Sequence, residues 1–197
     1  LMRQNPPFNI DYITATFFLE KIAKGTTVVN NPTAVRNMPE KLHSIEFQKL
    51  MPSTIFTKDI DQIDRFRKKH NKVVLKPTHG YGGKNILLIN KNTNRKMISN
   101  FINRHNHLMV QKFLPQIERG DKRIFIIGGL IKGAIRRIPK KGSIVSNIGQ
   151  GGIATKTTLT KQELKNYLAK IITKKQATSY LNSIENDNLK WVRLQFG

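Results

Sequence analysis

The amino-acid sequence predicts an α+β protein with at least two antiparallel pairs of strands. Helical and extended segments mix along the 197 residues, and 38% of the residues are hydrophobic, which is typical of a folded chain with its own core. Two pairs of apolar runs, within residues 73–89 and 124–135, are joined by glycine-rich segments of the kind found in hairpins. This pattern favours α+β over a doubly wound parallel sheet.

The individual elements follow from the spacing of apolar residues. Helices are predicted where this spacing is helical: residues 9–24, 39–50, 59–70 and 95–104. Strands are predicted at the short apolar runs: residues 26–29, 54–56, 73–75, 86–89, 108–113, 124–127 and 130–135. Gly25 and Pro52 are expected to end the first two helices. Thr160 and Glu163 have the spacing of a capping box, which predicts a further helix through about Lys175.

The composition limits the classes of function. The formal charge is +23, but the basic residues are spread along the chain, so we interpret them as a solvated basic surface. With four Tyr, one Trp and no aromatic-studded basic strand, nucleic-acid binding is the weaker interpretation. No run approaches the ~18–20 apolar residues of a membrane span. The chain has no cysteine, which excludes disulfides and zinc–thiolate sites and fits the cytoplasmic location that we predict.

The segment from Lys76 to Lys84 (KPTHGYGGK) lies between two predicted strands. Its glycines let backbone amides approach an anion closely, and a lysine at the end of a strand supplies a charge for phosphate oxygens. The segment is neither a Walker loop nor the dinucleotide fingerprint, because the required spacing is missing. Alone, it fits a phosphate-binding loop and a plain glycine hairpin equally well.

Three further segments carry residues suited to binding anions. Gln111–Pro115 (QKFLP) is a strand stopped by a proline, and Gly120–Arg123 (GDKR) opens an apolar strand. Arg136–Pro139 (RRIP) leads into a Gly- and Ser-rich stretch that contains Asn147 and runs to Gly152. A long loop of this kind is often a lid, and arginines at its base can clamp a carboxylate or a phosphoryl group. Alone, each segment also fits an ordinary edge strand, turn or exposed strand.

The order of these segments resembles bacterial-type glutathione synthetase, a family of ATP-grasp ligases. Further matches are Met2-Arg3 with Pro6-Pro7-Phe8, Val29-Asn30 with Pro32, and Glu40-Lys41-Leu42. The resemblance covers residue 1 to about residue 170. Its motifs are specific, because Met-Arg-x-x-Pro-Pro-Phe together with Gly-Asp-Lys-Arg separates this family from other ATP-grasp ligases.

The resemblance implies an ATP-grasp fold, in which two α+β lobes with antiparallel sheets grip ATP. It implies a ligase that joins γ-glutamylcysteine and glycine through an acyl phosphate, giving glutathione, ADP and phosphate. The implied cofactors are ATP and magnesium, and the implied partners are these small molecules, with no membrane or nucleic acid. A homo-oligomer is compatible with the family.

The resemblance also implies roles for individual residues. It assigns the ATP phosphates to two lysines and the glycine loop, the adenine pocket to a later segment whose backbone groups read the base edge, and a nucleotide contact to an aspartate. These residues are, in that order, Lys41, Lys76, Gly80, Gly82 and Gly83, then Gln111, Lys112, Phe113 and Leu114, then Asp121. It assigns the catalytic groups near the acyl phosphate and the lid to Arg123, Arg137 and Asn147. Arg3 is the candidate for holding the dipeptide, and Arg136 matches no role in the family.

The sequence departs from the family where the metal ligands are expected. The family carries an Asp and then Glu-x-Asn before Ser-Pro, whereas Glu185, Asp187 and Asn188 lie in a polar stretch without that pattern. The five histidines do not have the spacing of metal ligands, and Val145 replaces a lid arginine of many relatives. We therefore predict no metal ligands in this chain and an impaired ligase activity.

Two domains are predicted. Residues 1–37 resemble the end of the family's N-terminal substrate-binding domain, and residues 38–197 resemble an ATP-grasp domain lacking its C-terminal metal-binding strand. Because the first residue is Leu1 rather than Met, we expect the chain to begin inside a longer polypeptide. Three alternatives stay open: another ATP-grasp carboxylate–amine ligase, a truncated remnant without enzymatic function, and a basic module that binds nucleic acid in a salt-dependent way without regard to ATP.

Overall fold

A computed structural model describes residues 2, 7–39, 41–127 and 130–165. The chain divides into two compact units, which meet in sequence between Pro115 and Gln116.

The first unit begins with a pair of helices, α1 (Ile10–Ile22) and α2 (Pro32–Asn37). Asn9 caps α1, since its side chain accepts the main-chain N–H of Tyr12 at 3.0 Å, and Asn31 caps α2 in the same way. Arg36 on α2 ties the helices together. Its guanidinium donates to Thr16 Oγ1 at 3.0 Å and to the Glu20 carboxylate at 2.9 Å, and it lies 3.9 Å from the centre of the Phe17 ring.

The rest of the first unit is an antiparallel four-stranded sheet with helices on one face. The sheet has the order β1-β4-β2-β3, and every neighbouring pair is antiparallel. Its elements are β1 (Thr54–Thr57), α3 (Ile60–His70), β2 (Lys72–Pro77), β3 (Leu87–Asn90), α4 (Arg95–His105) and β4 (Leu108–Lys112). A 3-10 helix, His43–Leu50, precedes β1, and a second one, Pro115–Arg119, follows β4.

The core lies between α3, α4 and the sheet. Its fully buried side chains come from alternate positions of the strands and from the inner faces of the helices: Ile63, Val73, Leu75, Ile89, Ile98, Leu108 and Val110. Because strand side chains alternate between faces, Lys76 and Gln111 belong to the opposite face, away from the helices.

The second unit contains an antiparallel three-stranded sheet in the order β5-β6-β7. The strands are β5 (Asp121–Ile127), β6 (Leu130–Ile138) and β7 (Ile153–Thr157), with a short 3-10 helix, Ile148–Gln150, in the loop before β7. Residues 161–165 are helical. The capping box is present, because Thr160 N–H donates to Glu163 at 2.7 Å and Glu163 N–H donates to Thr160 Oγ1 at 3.2 Å.

Most predicted elements are confirmed: α1, α3, α4, strands β1 to β6 and both antiparallel pairings. The turn residues 128 and 129 and the end of the last predicted helix lie outside the described residues.

Two predictions were wrong. Residues 26–29 do not form a strand, because this β-favouring run pairs with no strand in the described part of the chain; its Val29 carbonyl accepts the N–H of Met2 instead. Residues 43–50 form a 3-10 helix rather than an α-helix. Leu42, which precedes it, makes no side-chain cap, and Phe47 departs from helical geometry at φ −116° and ψ 27°.

Four observed elements were not predicted: α2, β7 and the two 3-10 helices Pro115–Arg119 and Ile148–Gln150. In the part of the chain that the structure describes, no helix has the length and apolar character needed to cross a membrane.

Candidate functional site

The glycine-rich segment is the connection between β2 and β3. Gly82 and Gly83 have positive φ angles of 63° and 74°, and Asn85 has 55°. A residue in this conformation is strained unless it is glycine or a small polar residue, so the sequence suits the backbone here. The Gly80 N–H donates to Pro77 O at 3.1 Å and the Lys84 N–H donates to Tyr81 O at 3.1 Å, which makes two successive tight turns. Such turns are typical of anion-binding loops.

Lys41 lies against this loop, although 39 residues separate it from Gly80. Its Nζ donates a hydrogen bond to the Gly80 carbonyl, and its side chain is half-buried. The structure therefore brings together two parts of the predicted nucleotide site that are distant in sequence.

Lys76 is on β2, immediately before the loop, and its Nζ lies 2.9 Å from Gln111 Oε1 on the neighbouring strand β4. Gln111 in turn donates from Nε2 to Thr54 Oγ1 at 2.9 Å. Thr54 was not among the predicted site residues. No local sequence signal marks it, because its importance comes only from the pairing of β1 with β4.

The segment after Gln111 is partly committed to the sheet. The Lys112 N–H donates to Ser53 O at 2.9 Å, and the Phe113 N–H donates to Lys72 O at 3.1 Å. Leu114 lies beyond the last strand residue and is 44% exposed. Of the main-chain donors predicted to contact the base, those of Lys112 and Phe113 are therefore used within the protein.

A cavity of about 520 Å³ borders the loop on the side of α1 and α2. Thr78, His79, Gly80 and Tyr81 form its loop side, and Phe8 and Tyr12 are among the residues opposite. The rings of Phe8 and His79 stack with centroids 5.8 Å apart and planes 10° apart. The cavity is large enough for a small metabolite.

The second unit places Asp121 opposite Arg137 in the register of β5 and β6. Arg137 Nε donates to Asp121 Oδ1 at 2.9 Å, and the Nη2 donates to Oδ2, so the pair has the two-point geometry typical of Arg with a carboxylate. Arg123 is two residues along β5 from Asp121, so its side chain shares that face of the sheet, and it is exposed.

Asn147 begins the 3-10 turn in the loop between β6 and β7. Its carbonyl accepts N–H groups from Gln150 at 2.9 Å and from Gly152 at 3.1 Å, so the loop folds back on itself. Gly152 permits this approach, because a Cβ there would lie 2.4 Å from Ser146 O. The Asn147 side chain is half-buried.

Lys122 links β5 to the capping box. Its Nζ donates to Glu163 at 2.6 Å and to Thr158 O at 2.9 Å. Burial raises the pKa of Glu163, but hydrogen bonds from Lys122 and Thr160 outweigh this effect, and the pKa lies below its ordinary value. Glu163 is thus a structural carboxylate.

In the first unit the structure places Lys41 beside Gly80 and Lys76 beside Gln111. Lys112 and Phe113 lie at the opposite end of β2 from the loop, next to Val73 and Lys72. In the second unit the structure pairs Asp121 with Arg137. Arg3 lies outside the described residues.

Magnesium requires oxygen ligands, usually carboxylates. Within residues 7–39, 41–127 and 130–165, no three His, Cys, Asp or Glu side chains are grouped as metal ligands. Asp121, the predicted nucleotide-contacting carboxylate, is already paired with Arg137. The described residues therefore do not form a magnesium site by themselves.

Two models of known protein families match this chain. The family described as prokaryotic glutathione synthetase, ATP-grasp domain, matches residues 40–180, and the N-terminal domain of the same family matches residues 1–36. Glutathione synthetase from Bradyrhizobium diazoefficiens is 42% identical over 166 residues, which is 83% of this chain and 53% of the relative. The enzyme from Vibrio vulnificus is 38% identical over 170 residues, 84% of this chain and 54% of the relative. The chain spans about half the length of the curated relatives it matches.

Solved structures confirm the predicted fold. A RiPP-associated ATP-grasp ligase from Chryseobacterium gregarium, in complex with ADP and a leader and core peptide, has a TM-score of 0.60 at 19% identity, covering 80% of this chain and 50% of that one. D-cycloserine synthetase DcsG has a TM-score of 0.57 at 15% identity, covering 80% and 61%. At these identities the likeness concerns the fold alone, which is an incomplete α+β ATP-grasp fold.

Proposed function

Because the chain belongs to the prokaryotic glutathione synthetase family, we propose that it takes part in the ATP-dependent joining of γ-glutamylcysteine and glycine. A carboxylate is a poor electrophile, so its oxygen must first become part of a leaving group. The dipeptide carboxylate oxygen attacks the γ-phosphorus of ATP, ADP leaves, and an acyl phosphate forms. The glycine nitrogen then attacks the acyl carbon, loses a proton and displaces phosphate.

The observation that carries the proposal is the contact between Lys41 and the glycine loop. Lys41 and Gly80 are far apart in sequence. Lys41 was assigned to the ATP phosphates only by resemblance, whereas the loop containing Gly80 was also a candidate phosphate-binding loop from its glycines. The fold brings an ammonium group to a loop whose glycines adopt positive φ angles. A cation beside such a loop is a chemically sensible way to bind phosphate oxygens.

For the first unit, we propose that Lys41, Lys76 and the loop at Gly80, Gly82 and Gly83 bind the ATP phosphates. The N–H groups of Gly82 and Gly83 are the proposed main-chain donors, since that of Gly80 donates to Pro77 O. Charge on the transferring phosphoryl group must be neutralised by aimed donors and cations, since the protein takes little covalent part in the transfer. We further propose that the segment from Gln111 to Leu114 borders the adenine base. Gln111 and Lys112 lie within the sheet, and the N–H groups of Lys112 and Phe113 donate to Ser53 and Lys72. We therefore propose the main chain of Leu114 for the contact with the base.

For the second unit, we propose that Arg123 and Arg137 bind the phosphoryl and carboxylate groups and that Asn147 belongs to the lid loop. We propose that Asp121 contacts the nucleotide. The Arg137–Asp121 ion pair supports this assignment, because two points of contact hold the guanidinium in one orientation. A guanidinium held in this way has less conformational freedom to lose when it binds an anion.

The dipeptide is assigned to Arg3 and to the cavity beside the loop. The cavity is lined by aromatic and apolar side chains together with Asn30 and Thr78, which can hydrogen-bond to a small polar ligand. Its position beside Gly80 would bring a bound carboxylate close to the loop proposed for the phosphates. A magnesium ion would neutralise charge between the β- and γ-phosphates, but no residue here is assigned to it.

Two measurements on this chain test the proposal. ATP binding is measured by equilibrium dialysis for the wild type and for Lys41→Met, Lys76→Met and the exposed control Lys96→Met. We expect the first two variants to weaken binding about tenfold or more, as for a lost charge-assisted hydrogen bond, and the control to bind like the wild type. Equal binding by all four proteins would contradict the proposed nucleotide site.

The second measurement is ADP release with γ-glutamylcysteine, glycine, ATP and magnesium, each omitted in turn. ADP release that requires all four compounds supports the proposed ligase reaction and shows that γ-glutamylcysteine and glycine are both used as substrates. The impaired activity predicted from the sequence corresponds to a rate well below the ~1–10³ per second that is typical of enzymes. A salt-sensitive affinity for DNA with no effect of ATP would instead favour the basic-module alternative.

A further inference from the structure

Three polar side chains form a line across neighbouring strands of the first sheet, on the face opposite its helices. Thr54 on β1 is the register partner of Gln111 on β4, and Lys76 on β2 lies diagonally from Gln111 on the other side. All three are half-buried. The distances are 2.9 Å from Lys76 Nζ to Gln111 Oε1, 2.9 Å from Gln111 Nε2 to Thr54 Oγ1 and 2.7 Å from Thr54 Oγ1 to Pro52 O.

The chemistry of the two ends fixes the direction of every hydrogen bond in this line. Pro52 O is a carbonyl and can only accept, so the Thr54 hydroxyl must donate to it. A hydroxyl has a single hydrogen, which leaves Thr54 Oγ1 as an acceptor for the amide of Gln111. At the other end the lysine ammonium can only donate, so the Gln111 oxygen must point toward Lys76.

The amide of Gln111 is therefore held in one orientation by both neighbours at once. A flipped amide would place its NH₂ group against the ammonium and its oxygen against a hydroxyl whose only hydrogen is already used. Both contacts would be lost, which makes the flipped form unfavourable. Thr54 therefore determines which atom of the Gln111 side-chain amide faces Lys76.

We propose that Thr54 is a positioning residue, which acts through Gln111 to hold the Lys76 ammonium in place for the nucleotide. This inference rests on the proposed function only in taking Lys76 as a nucleotide-binding lysine. Lysine is a point charge on a flexible four-carbon stem, and holding it in one place removes part of the ordering that binding would otherwise require.

A purely structural role for Thr54 makes a different prediction. If the line of hydrogen bonds only joined β1 to β4, its loss would lower the stability of the sheet and would act on ATP affinity independently of Lys76. A positioning role requires the effect on affinity to disappear once Lys76 is gone. A double-mutant cycle separates the two.

The cycle uses Thr54→Val, which keeps the shape of the side chain and removes the hydroxyl, with Thr54→Ser as the matched control that keeps it. The dissociation constant for ATP and the melting temperature are measured for each, alone and combined with Lys76→Met. We expect Thr54→Val to weaken ATP binding about tenfold and Thr54→Ser to stay within about twofold of the wild type. In the Lys76→Met background, Thr54→Val should change the affinity by less than about twofold.

An equal loss in both backgrounds would overturn the proposal, and so would a Thr54→Val protein that binds ATP like the wild type. If Thr54→Val does not fold, Thr54→Ala in both backgrounds takes its place.

A nuclear magnetic resonance measurement tests the line of hydrogen bonds in the absence of ATP. The side-chain NH₂ of Gln111 should exchange its hydrogens slowly and give resonances that shift in Lys76→Met and in Thr54→Val but not in Thr54→Ser. A Gln111 side-chain amide that exchanges freely in the wild type would show that the line of hydrogen bonds does not hold Gln111 and would overturn the proposal. If the wild type binds no ATP while the Gln111 resonances behave as expected, the line of hydrogen bonds is supported and the proposed nucleotide site is contradicted.

Discussion

Asp121 at the start of β5 and Arg137 near the end of β6 are joined by a two-point ion pair, with Arg137 Nε 2.9 Å from Asp121 Oδ1. The arginine side chain is 12% exposed and the aspartate side chain 37% exposed. The arginine is therefore largely shielded from solvent, whereas the aspartate is partly exposed.

Reversing this pair separates its structural role from the role near the acyl phosphate that we propose for Arg137. Asp121→Arg alone and Arg137→Asp alone should each lower the free energy of unfolding by about 1 kcal/mol, since solvent screens the pair and each change sets like charges together. The double variant should recover most of the loss in chemical denaturation. ADP release should stay low in all three, because the cation is then on the wrong strand. Recovery of activity in the double variant would show that the pair matters and the individual positions do not.

At Gly120, just before β5, the main chain passes so close to Arg137 that there is no room for a side chain. A Cβ at Gly120 would lie 2.4 Å from Arg137 O, and φ is +88°. Gly142 has a similar φ of +80° with open space around it, so it is the matched control. Gly142→Ala should cost about 1–2 kcal/mol from the backbone conformation alone. Gly120→Ala should cost about 1–3 kcal/mol more from the clash, measured by urea denaturation. Equal losses would mean that the strands separate without penalty at this point.

The helices and hairpins could be predicted from the sequence, whereas the reason for a glycine at position 120 could not. The helices α1, α3 and α4 were predicted because the apolar spacing is a local signal. The structure adds the caps Asn9, Asp59 and Asn94 at their starts. The hairpins were predicted because their turns lie between two apolar runs. The reason for glycine at 120 is a contact with residue 137, and nothing close in sequence indicates it.

The errors have the same origin. Residues 26–29 have the composition of a strand but no partner strand among the described residues, whereas β7 has few apolar residues and becomes a strand by pairing with β6. In the candidate site, Lys41 was assigned only by resemblance to a family, whereas the glycine loop was also indicated by its own residues. Thr54 was missed because its partner Gln111 is 57 residues away.

His70 and His105 should make stability depend on pH. Each ends a helix and packs on a phenylalanine one turn earlier, with centroids 4.5 Å apart for Phe66–His70 and 4.6 Å for Phe101–His105. Both Nε2 atoms are buried without a hydrogen-bond partner within the described part of the chain. Burial lowers the pKa of both histidines, helped by Lys69 and Lys112 for His70 and by Arg104 for His105.

The sign follows from linkage. The unfolded chain binds protons on these histidines at about pH 6.5, and the folded chain does so only at lower pH. The free energy of unfolding should therefore decrease as pH falls below about 6.5. His70→Gln combined with His105→Gln should flatten this dependence in urea denaturation between pH 5 and pH 8, whereas the exposed control His107→Gln should not. An unchanged slope in the double variant would show that other groups are responsible.

The stack of Phe8 on His79 should hold the glycine loop against the start of α1. The two rings are nearly parallel, and Phe8 also contacts Tyr12 with centroids 5.0 Å apart. An aromatic pair contributes about 0.5–1.5 kcal/mol, which corresponds to a change of about twofold to twelvefold in a local opening equilibrium. Phe8→Ala should therefore speed amide hydrogen exchange at Gly80 by about that factor, while Phe8→Tyr, which keeps the ring, should not. The Leu75 amide in the buried strand β2 serves as the internal reference. If Gly80 exchanged at the same rate in Phe8→Ala and Phe8→Tyr, the loop would be held by its own turns and by Lys41 alone.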